Sequence, residues 1–466
     1  MKTGILRTIK TKGGGNTAGS AWQEMCFAIA RRGKFILLLA VLAMPAPRLL
    51  AQQLSRLDRE LAETMLKNVS ADVRKYYFDA KLHGLDWDAL VRQTKQSIDE
   101  APNMQVANTE IAALLERLDD SHTRYYPPRN LATADYGFDF EIVGKSAYVT
   151  KVEPKSDAEG KGIHPGDELL TIDGFAVDRA SAPKLEYALN VLIPRSSLQL
   201  DLRDPGGKLM HLDVAAKVER HARVAGLGDS TWNSNQIRID REKSFDKVRA
   251  EYKELGPDLM ILRIPEFAQT GAEVDALFKR ARTHKTLIVD LRGCPGGRVD
   301  SVVSYLEDVF SRDVKVGNWV ERGKLDPLLV KPNRSGAFGG DLIVLIDSRT
   351  ASGGEIFARV VQLQERGTIL GDHSSGRTMV SRIYSHAYGE NPIYYYGASV
   401  TIGDSVMADG KSLEHIGVEP DRTMLPAASD IAAGRDPVLA YAAGLAGVKL
   451  SPEDAAKLFP HKSTND

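Results

Sequence analysis

The stretch with the most chemistry in it is Leu342-Ile-Val-Leu-Ile-Asp-Ser-Arg-Thr-Ala-Ser-Gly-Gly-Glu-Ile-Phe-Ala358. An apolar strand ends, small residues turn the chain, and a helix starts. A serine at such a turn exposes its hydroxyl, and the residue after it sits at a helix N-terminus, where unpaired N–H groups and the dipole favour developing negative charge. Ser352, followed by Gly353-Gly354, therefore has the setting of a nucleophile. The plainer reading is equally open at this point: Ser352 is a helix N-cap and Glu355 completes a capping box.

A second stretch, Thr286-Leu-Ile-Val-Asp-Leu-Arg-Gly-Cys-Pro-Gly-Gly297, runs a buried strand into a glycine-rich loop. Glycine lets a backbone amide approach a ligand closely, so Gly296 or Gly297 is a candidate second donor to an oxyanion beside Gly353. An ordinary strand-to-helix turn has the same composition. Cys294 lies beside this loop, and Pro295 and the glycines explain the loop without a thiol nucleophile. No zinc, paired-cysteine or phosphate-loop motif occurs, so no metal and no cofactor is expected; Gly336-Ala-Phe-Gly-Gly340 has no Lys-Ser/Thr after it.

These two stretches, with Gly371-Asp372 and Gly417-Val-Glu-Pro-Asp421, resemble the carboxy-terminal processing (tail-specific) family of serine proteases over residues 54–425. The resemblance implies an α+β multidomain chain. A helical N-terminal region would lead into a PDZ-like β domain, followed by an α/β catalytic domain with a mixed sheet covered by helices. The insert resembles a PDZ domain at Tyr136-Gly137-Phe138-Asp139, which matches the carboxylate-binding loop, and at Gly162-Ile-His-Pro-Gly-Asp-Glu-Leu-Leu-Thr-Ile-Asp-Gly174. In such modules a peptide adds as a strand to a sheet edge. An insert that only braces or gates the catalytic domain is the alternative.

One departure bears on mechanism. The family's usual general base is a lysine in a Gly-Glu-x-x-x-Gly-Lys pattern, and here the equivalent stretch is Gly371-Asp-His-Ser-Ser-Gly-Arg377. Arginine stays protonated and cannot serve as base. Ser381 stands where a glutamine often follows that lysine. Another branch, similar to the tricorn core protease, uses histidine, with Ser-His before the insert and a glutamate near the end. The matching stretches are Leu118-Asp-Asp-Ser-His-Thr123 and Leu413-Glu-His-Ile-Gly-Val-Glu-Pro-Asp421. The resemblance then implies Ser352 as nucleophile, His122 as base, Ser121 as its neighbour and Glu414 as orienting acid. Imidazole titrates near neutrality and suits the role. His373 and Lys411 are rival bases. The expected activity is endopeptidase cleavage of unfolded or C-terminally presented polypeptides. The alternative is an inactive PDZ-type peptide-binding protein, with Arg377 as a carboxylate or phosphate clamp.

The elements that must position these residues are legible in outline. Helical patterns cover roughly 54–118, short strands and turns 136–218, and alternating strands and helices 259–425. The expected divisions are a leader with signal peptide at 1–51, a helical region at 52–130, the PDZ-like domain at 131–218, the catalytic domain at 219–446 and a C-terminal tail at 447–466. Arg31, Arg32 and Lys34 before an apolar run at 35–44, then Pro45, Pro47 and a small-residue site near Ala51, give the layout of a secretory signal. An exported, periplasmic or secreted protein is expected, touching membrane only transiently through that segment.

Composition limits the alternatives. Of 466 residues, 43% are hydrophobic and 26% charged, which excludes a disordered chain and a multi-span membrane protein. Lys+Arg number 61 and Asp+Glu 62, so no overall field draws nucleic acid; the expected partner is a polypeptide substrate. Two cysteines, of which Cys26 falls in the leader, cannot staple the mature fold.

Overall fold

The computed structural model describes residues 54–128, 132–220, 249–390 and 393–459. The expected leader at 1–51 lies outside the described residues, as do 221–248 and 460–466. Among the described residues no helix is long and apolar enough to cross a membrane.

Three capped helices open the described chain. Arg56–Tyr76 starts at Ser55, whose side chain accepts from Asp58 N; Trp87–Asp99 starts at Asp86 and Met104–Glu116 at Asn103. Leu61, Met65, Leu66, Val69 and Val73 make the buried stripe of the first helix. Beyond the third helix, strand Arg124–Tyr126 pairs antiparallel with the long strand Tyr394–Met407, with Arg124 opposite Ser399.

The insert is an antiparallel sheet in the order Phe138–Val143, Ser146–Val152, Glu168–Ile172, Ser197–Arg203, Leu209–Ala215, with Phe175–Ala176 against Glu168–Ile172. The Asp-Gly turn read from the sequence is present, with positive φ at both Asp173 (50°) and Gly174 (81°), the pairing a two-residue hairpin favours. The chain enters and leaves the insert through a two-stranded ribbon, Ala132–Asp135 with Lys217–Arg220.

The catalytic region is built on a six-stranded mixed sheet: Glu251–Leu255, Leu259–Arg263, Thr286–Asp290, Asp341–Ile346, Thr368–Gly371, Arg422–Thr423. The first pair is antiparallel and the rest parallel. Strand residues alternate between two cores, which is why these strands read as continuous apolar runs. Leu287, Val289, Leu342 and Val344 pack with helices Gly271–Ala281, Val299–Val309 and Gly353–Leu363. Ile288, Ile343 and Leu345 pack with Val438, Leu439 and Ala442 of Pro437–Leu445.

Two features depart from the sequence reading. A second, five-stranded sheet formed by Val314–Glu321, Lys324–Val330, Val380–Tyr388, Tyr394–Met407 and Arg124–Tyr126 flanks the first. Its strands carry polar residues and glycines among the apolar ones and lack the unbroken apolar signature. The expected polar tail contains helix Pro452–Leu458, capped by Ser451, and Ala455 and Phe459 join the core against Pro437–Leu445. Val448, Leu450 and Leu458 pack against the same core, partly buried.

Candidate active site

Ser352 sits between strand Asp341–Ile346 and helix Gly353–Leu363, and its turn is built by local hydrogen bonds. Asp347 Oδ1 accepts from Arg349 N (3.0 Å) and Thr350 N (2.9 Å), and both carboxylate oxygens accept from Gly293 N in the glycine-rich loop. Thr350 Oγ1 donates to Leu291 O (2.8 Å), and Ala351 N donates to Cys294 O (2.9 Å). The two stretches singled out from sequence are thus stitched together. Ser352 has φ 51° and ψ −116°, a sparsely populated conformation for a residue with a side chain. It persists because both flanks are over-determined. The Ser352 hydroxyl makes no capping bond, so the capping reading is half right: Glu355 Oε2 accepts from Ser352 N (3.0 Å), but the serine side chain is left for other work.

Glu355 does much more than cap. It is 0% exposed, and each oxygen takes two donors. Oε1 accepts from Ser374 Oγ (2.6 Å) and Gly376 N (2.7 Å), and Oε2 from Arg377 N (2.9 Å) and Ser352 N. Burial pushes its carboxyl up to about 7, against the pull of these donors. Ser352 N also reaches Arg377 O (2.9 Å), so loop 372–378 is locked to the nucleophile turn.

The glycine-rich loop reaches Ser352 at Gly296. A Cβ there, at φ 108°, would lie 2.6 Å from Ser352 Cβ and 2.9 Å from Gly353 N. Phe267 N donates to Gly296 O and Arg298 N to Phe267 O, both at 2.7 Å. This parallel bridge turns the N–H of Gly297 away from Phe267. The amides of Gly297 and Gly353 carry no hydrogen bond among the described residues. With Ser352 they line one cleft, whose walls include Val302, Leu306, Trp319, Leu328 and Ile356.

The second half of the site is built around residues 119–123. Asp120 Oδ1 accepts from His122 N (2.9 Å), Thr123 N (2.7 Å) and Thr401 Oγ1 (2.5 Å), while Oδ2 accepts from Tyr77 O–H (3.0 Å). His122 is thereby pinned to the central strand Tyr394–Met407. Ser121 Oγ donates to Glu414 Oε2 (3.0 Å) and lies 2.7 Å from His122 Nδ1. A serine has one hydroxyl proton, and a carboxylate only accepts, so the contact to the ring is made by Nδ1–H donating to Ser121 Oγ. The basic lone pair is then on Nε2. Glu414 Oε1 accepts from Ser121 N (2.7 Å), and Oε2 also accepts from Thr378 N (2.9 Å). Thr378 follows Arg377, whose carbonyl holds Ser352 N. One dipeptide therefore joins both halves of the site.

His373 Nδ1 contacts Ser374 O (2.9 Å) and its Nε2 lies 3.7 Å from Glu419, while Lys411 is exposed. Cys294 is buried and its thiol is pushed up to about 12, away from nucleophilic use. Ser381 sits in strand Val380–Tyr388 opposite Thr401. Tyr136 O–H accepts from Arg195 N, Gly137 N donates to Asp135 Oδ1, and Phe138 and Asp139 open the edge strand of the insert. The outward carbonyls of that edge are taken: Ile142 O accepts from Ser348 Oγ (2.5 Å) and Phe140 O from Arg349. The insert thus rests its first strand on the turn preceding Ser352. Sequence reasoning missed Asp120, Tyr77 and Thr401. Asp120, two residues before His122, fits the Asx-turn pattern and was readable; Tyr77 and Thr401 carry no local signal.

A strained serine between a parallel strand and a helix, beside open amides and a hydrogen-bonded Ser-His-Glu chain, defines a serine-type peptidase. Known proteins agree. Residues 258–424 match peptidase family S41. Tricorn protease homolog 2 of Streptomyces coelicolor is 24% identical over 402 residues, which make up 80% of this chain but 31% of that protein. The chloroplastic C-terminal processing peptidase of Tetradesmus obliquus is 24% identical over 411 residues, 82% of this chain and 80% of the relative. The solved structure of mature CPAF complexed with lactacystin shares the fold, with a TM-score of 0.60 and 16% identity over 81% of this chain and 96% of that one. The chain is thus a serine-type peptidase with an S41 domain at 258–424, similar to the carboxy-terminal processing peptidases.

Proposed function

We propose that the protein is an exported endopeptidase that cleaves extended or unfolded polypeptides through Ser352, with His122 as general base. The observation that carries this reading is the connection from Glu414 through Ser121 to His122, tied to the Ser352 turn by Arg377 O and Thr378 N.

His122 Nε2 takes the Ser352 hydroxyl proton as Oγ bonds to the scissile carbonyl carbon. The carbonyl oxygen gains the negative charge and is held by amides among Gly296, Gly297 and Gly353, of which Gly297 and Gly353 line the cavity. His122 returns the proton to the leaving nitrogen as the C–N bond breaks. Water, deprotonated by His122, then opens the acyl ester and restores Ser352. Ser121 and Glu414 fix the ring and stabilise the imidazolium. The valine-, leucine- and tryptophan-lined cavity suits an aliphatic side chain on the acyl side of the scissile bond. The insert braces the turn before Ser352, and capture of a peptide C-terminus at Tyr136–Asp139 is the role proposed for its edge. The basic flank and apolar run at 31–44 support export.

Cleavage of quenched fluorescent casein tests the reading. Activity absent in Ser352→Ala and His122→Ala but retained in Lys411→Ala supports it. Loss in the serine variant alone removes His122 as base. No cleavage by the parent favours a peptide-binding protein without catalysis.

A further inference from the structure

The cleft beside Ser352 adjoins a notch. The two share Val316, Trp319, Leu328 and Ile356 as walls, and Gly317, Ser405 and Met407 line the notch alone. The pairing of the strands explains why this space exists. In the five-stranded sheet Leu328, Gly317 and Met407 stand side by side on three strands, and Asp326, Trp319 and Ser405 stand side by side two residues along. Residues two apart on a strand point the same way, and cross-strand neighbours share a face. Leu328, Met407, Trp319 and Ser405 therefore surround the position of Gly317, which supplies no side chain. None fits there, because a Cβ would lie 2.2 Å from Val406 O. Ile356, from helix Gly353–Leu363, borders the gap from the helix layer. The notch is a hole left in one face of a sheet, next to the nucleophile cleft.

Ser405 is the polar side chain on that face of the notch. It is 7% exposed, and its hydroxyl has no hydrogen-bond partner. Hiding a hydroxyl from water without a partner is unfavourable. The polar groups around it are already engaged: Trp319 Nε1 donates to Glu321 Oε1 (2.9 Å), Asp404 Oδ1 accepts from Ser412 Oγ (2.9 Å), and Asp326 pairs with Lys324. No charged residue borders the notch among the described residues. The free space is about 10 Å³, enough for one water-sized group. One nitrogen or oxygen atom placed there satisfies the serine. A methyl group fills the space and leaves the hydroxyl unpaired. A carboxylate or ammonium loses its water and gains no counter-charge.

We propose that Gly317 and Ser405 are specificity determinants, and that the notch receives the tip of the residue on the acyl side of the scissile bond, favouring the neutral amide of glutamine. The inference rests on the protease reading, which makes this cleft the acyl side. The glutamine stem lies against the apolar walls, and one heteroatom of its amide meets Ser405 Oγ. A hydroxyl both donates and accepts, so either end of the amide is matched. Aromatic side chains are too large for the space.

The test measures kcat/KM of the full chain on three peptides that differ only in the residue before the scissile bond. These residues are glutamine, glutamate and homoleucine, a hydrocarbon with the shape of glutamine. Mass spectrometry of the products fixes the bond cut in each. Glutamine is expected to exceed homoleucine about tenfold, and glutamate to fall at least about tenfold below homoleucine. Ser405→Ala should bring the glutamine-to-homoleucine ratio near one. Ser405→Cys keeps the size with a weaker donor and should lower the ratio, which serves where the alanine variant does not fold. Each ratio is taken within one preparation, so a fraction of unfolded protein does not alter it. Equal cleavage of the glutamine and homoleucine peptides by the parent overturns the proposal. So does a preference that either Ser405 variant leaves unchanged, which would place the amide elsewhere. Both results leave the protease reading intact. Failure of the parent to cut casein or any of these peptides sinks the protease reading, and this proposal with it, because the cleft then has no acyl side.

Discussion

Glu414 and Ser121, 293 residues apart in the chain, are joined by two hydrogen bonds, from the serine N–H to Oε1 and from its hydroxyl to Oε2. The second bond commits the only hydroxyl proton and so decides which nitrogen of His122 is basic. Glu414→Gln and Ser121→Ala are each expected to lower kcat by about a hundredfold, the scale of losing a partner that orients a working histidine. The double variant should be little worse than either single one, because the residues act as a unit. A double-mutant cycle on kcat with a peptide substrate checks this; additive losses would mean that the two act independently.

Gly296 is where the glycine-rich loop touches Ser352. Gly296→Ala puts a methyl 2.6 Å from Ser352 Cβ at a φ of 108°, so activity should fall at least about a thousandfold. Gly353→Ala meets the Val302 side chain at 2.8 Å without a positive φ, and the double variant Gly353→Ala/Val302→Ala should restore part of the loss. Active-site titration with a serine-directed fluorophosphonate separates a misplaced nucleophile from an unfolded protein.

Glu355 links stability to pH. Its carboxyl titrates near 7 in the fold against 4.5 when exposed. The native state therefore binds the proton more tightly, and stability is lost as pH rises from about 4.5 through 7, by about 3 kcal/mol in all. Urea denaturation across this window should show that slope in the parent and its absence in Glu355→Gln. The glutamine amide would also point two protons at backbone N–H donors, so kcat should fall together with stability.

Arg179 is the main polar tie between the insert and loop 372–378. It donates to His373 O (2.8 Å), Gly144 O (3.0 Å) and Asp372 Oδ2 (2.9 Å). Arg179→Ala leaves the buried Asp372 carboxylate short of its counter-charge, with an expected cost of about 3 kcal/mol. The same loop carries Arg377 and Thr378, so kcat should drop at a temperature where the variant remains folded by circular dichroism.

The apolar cavity predicts acyl-side preference. Val302 lines it next to Gly353. Val302→Phe should cut cleavage after leucine by about tenfold or more while sparing cleavage after alanine. Product mapping by mass spectrometry on a peptide library reads the change.

Much of this site was legible in the chain. The strand-turn-helix at Ser352, the loop at Gly296-Gly297 and the hairpin at Asp173-Gly174 announce themselves, because turn chemistry is decided by neighbours a few residues away. The parallel strands showed as apolar runs because both faces are covered. The strand Tyr394–Met407, buried but rich in tyrosine, glycine and serine, did not, although it pins His122 through Thr401, and neither did the helix Pro452–Leu458, where Ala455 and the following Phe459 find a core only after the sheet exists.

The sequence by itself determined the serine turn, the open amides and the absence of a lysine at position 377. Only the tertiary structure decided that Arg377 and Thr378 bridge the nucleophile to the Glu414-Ser121-His122 chain and that Glu355 holds four donors. Local conformation follows from adjacent residues. Meetings across some 300 residues follow from the register of Arg124–Tyr126 on Tyr394–Met407 and from the packing of loops at one edge of the parallel sheet, which no local pattern encodes.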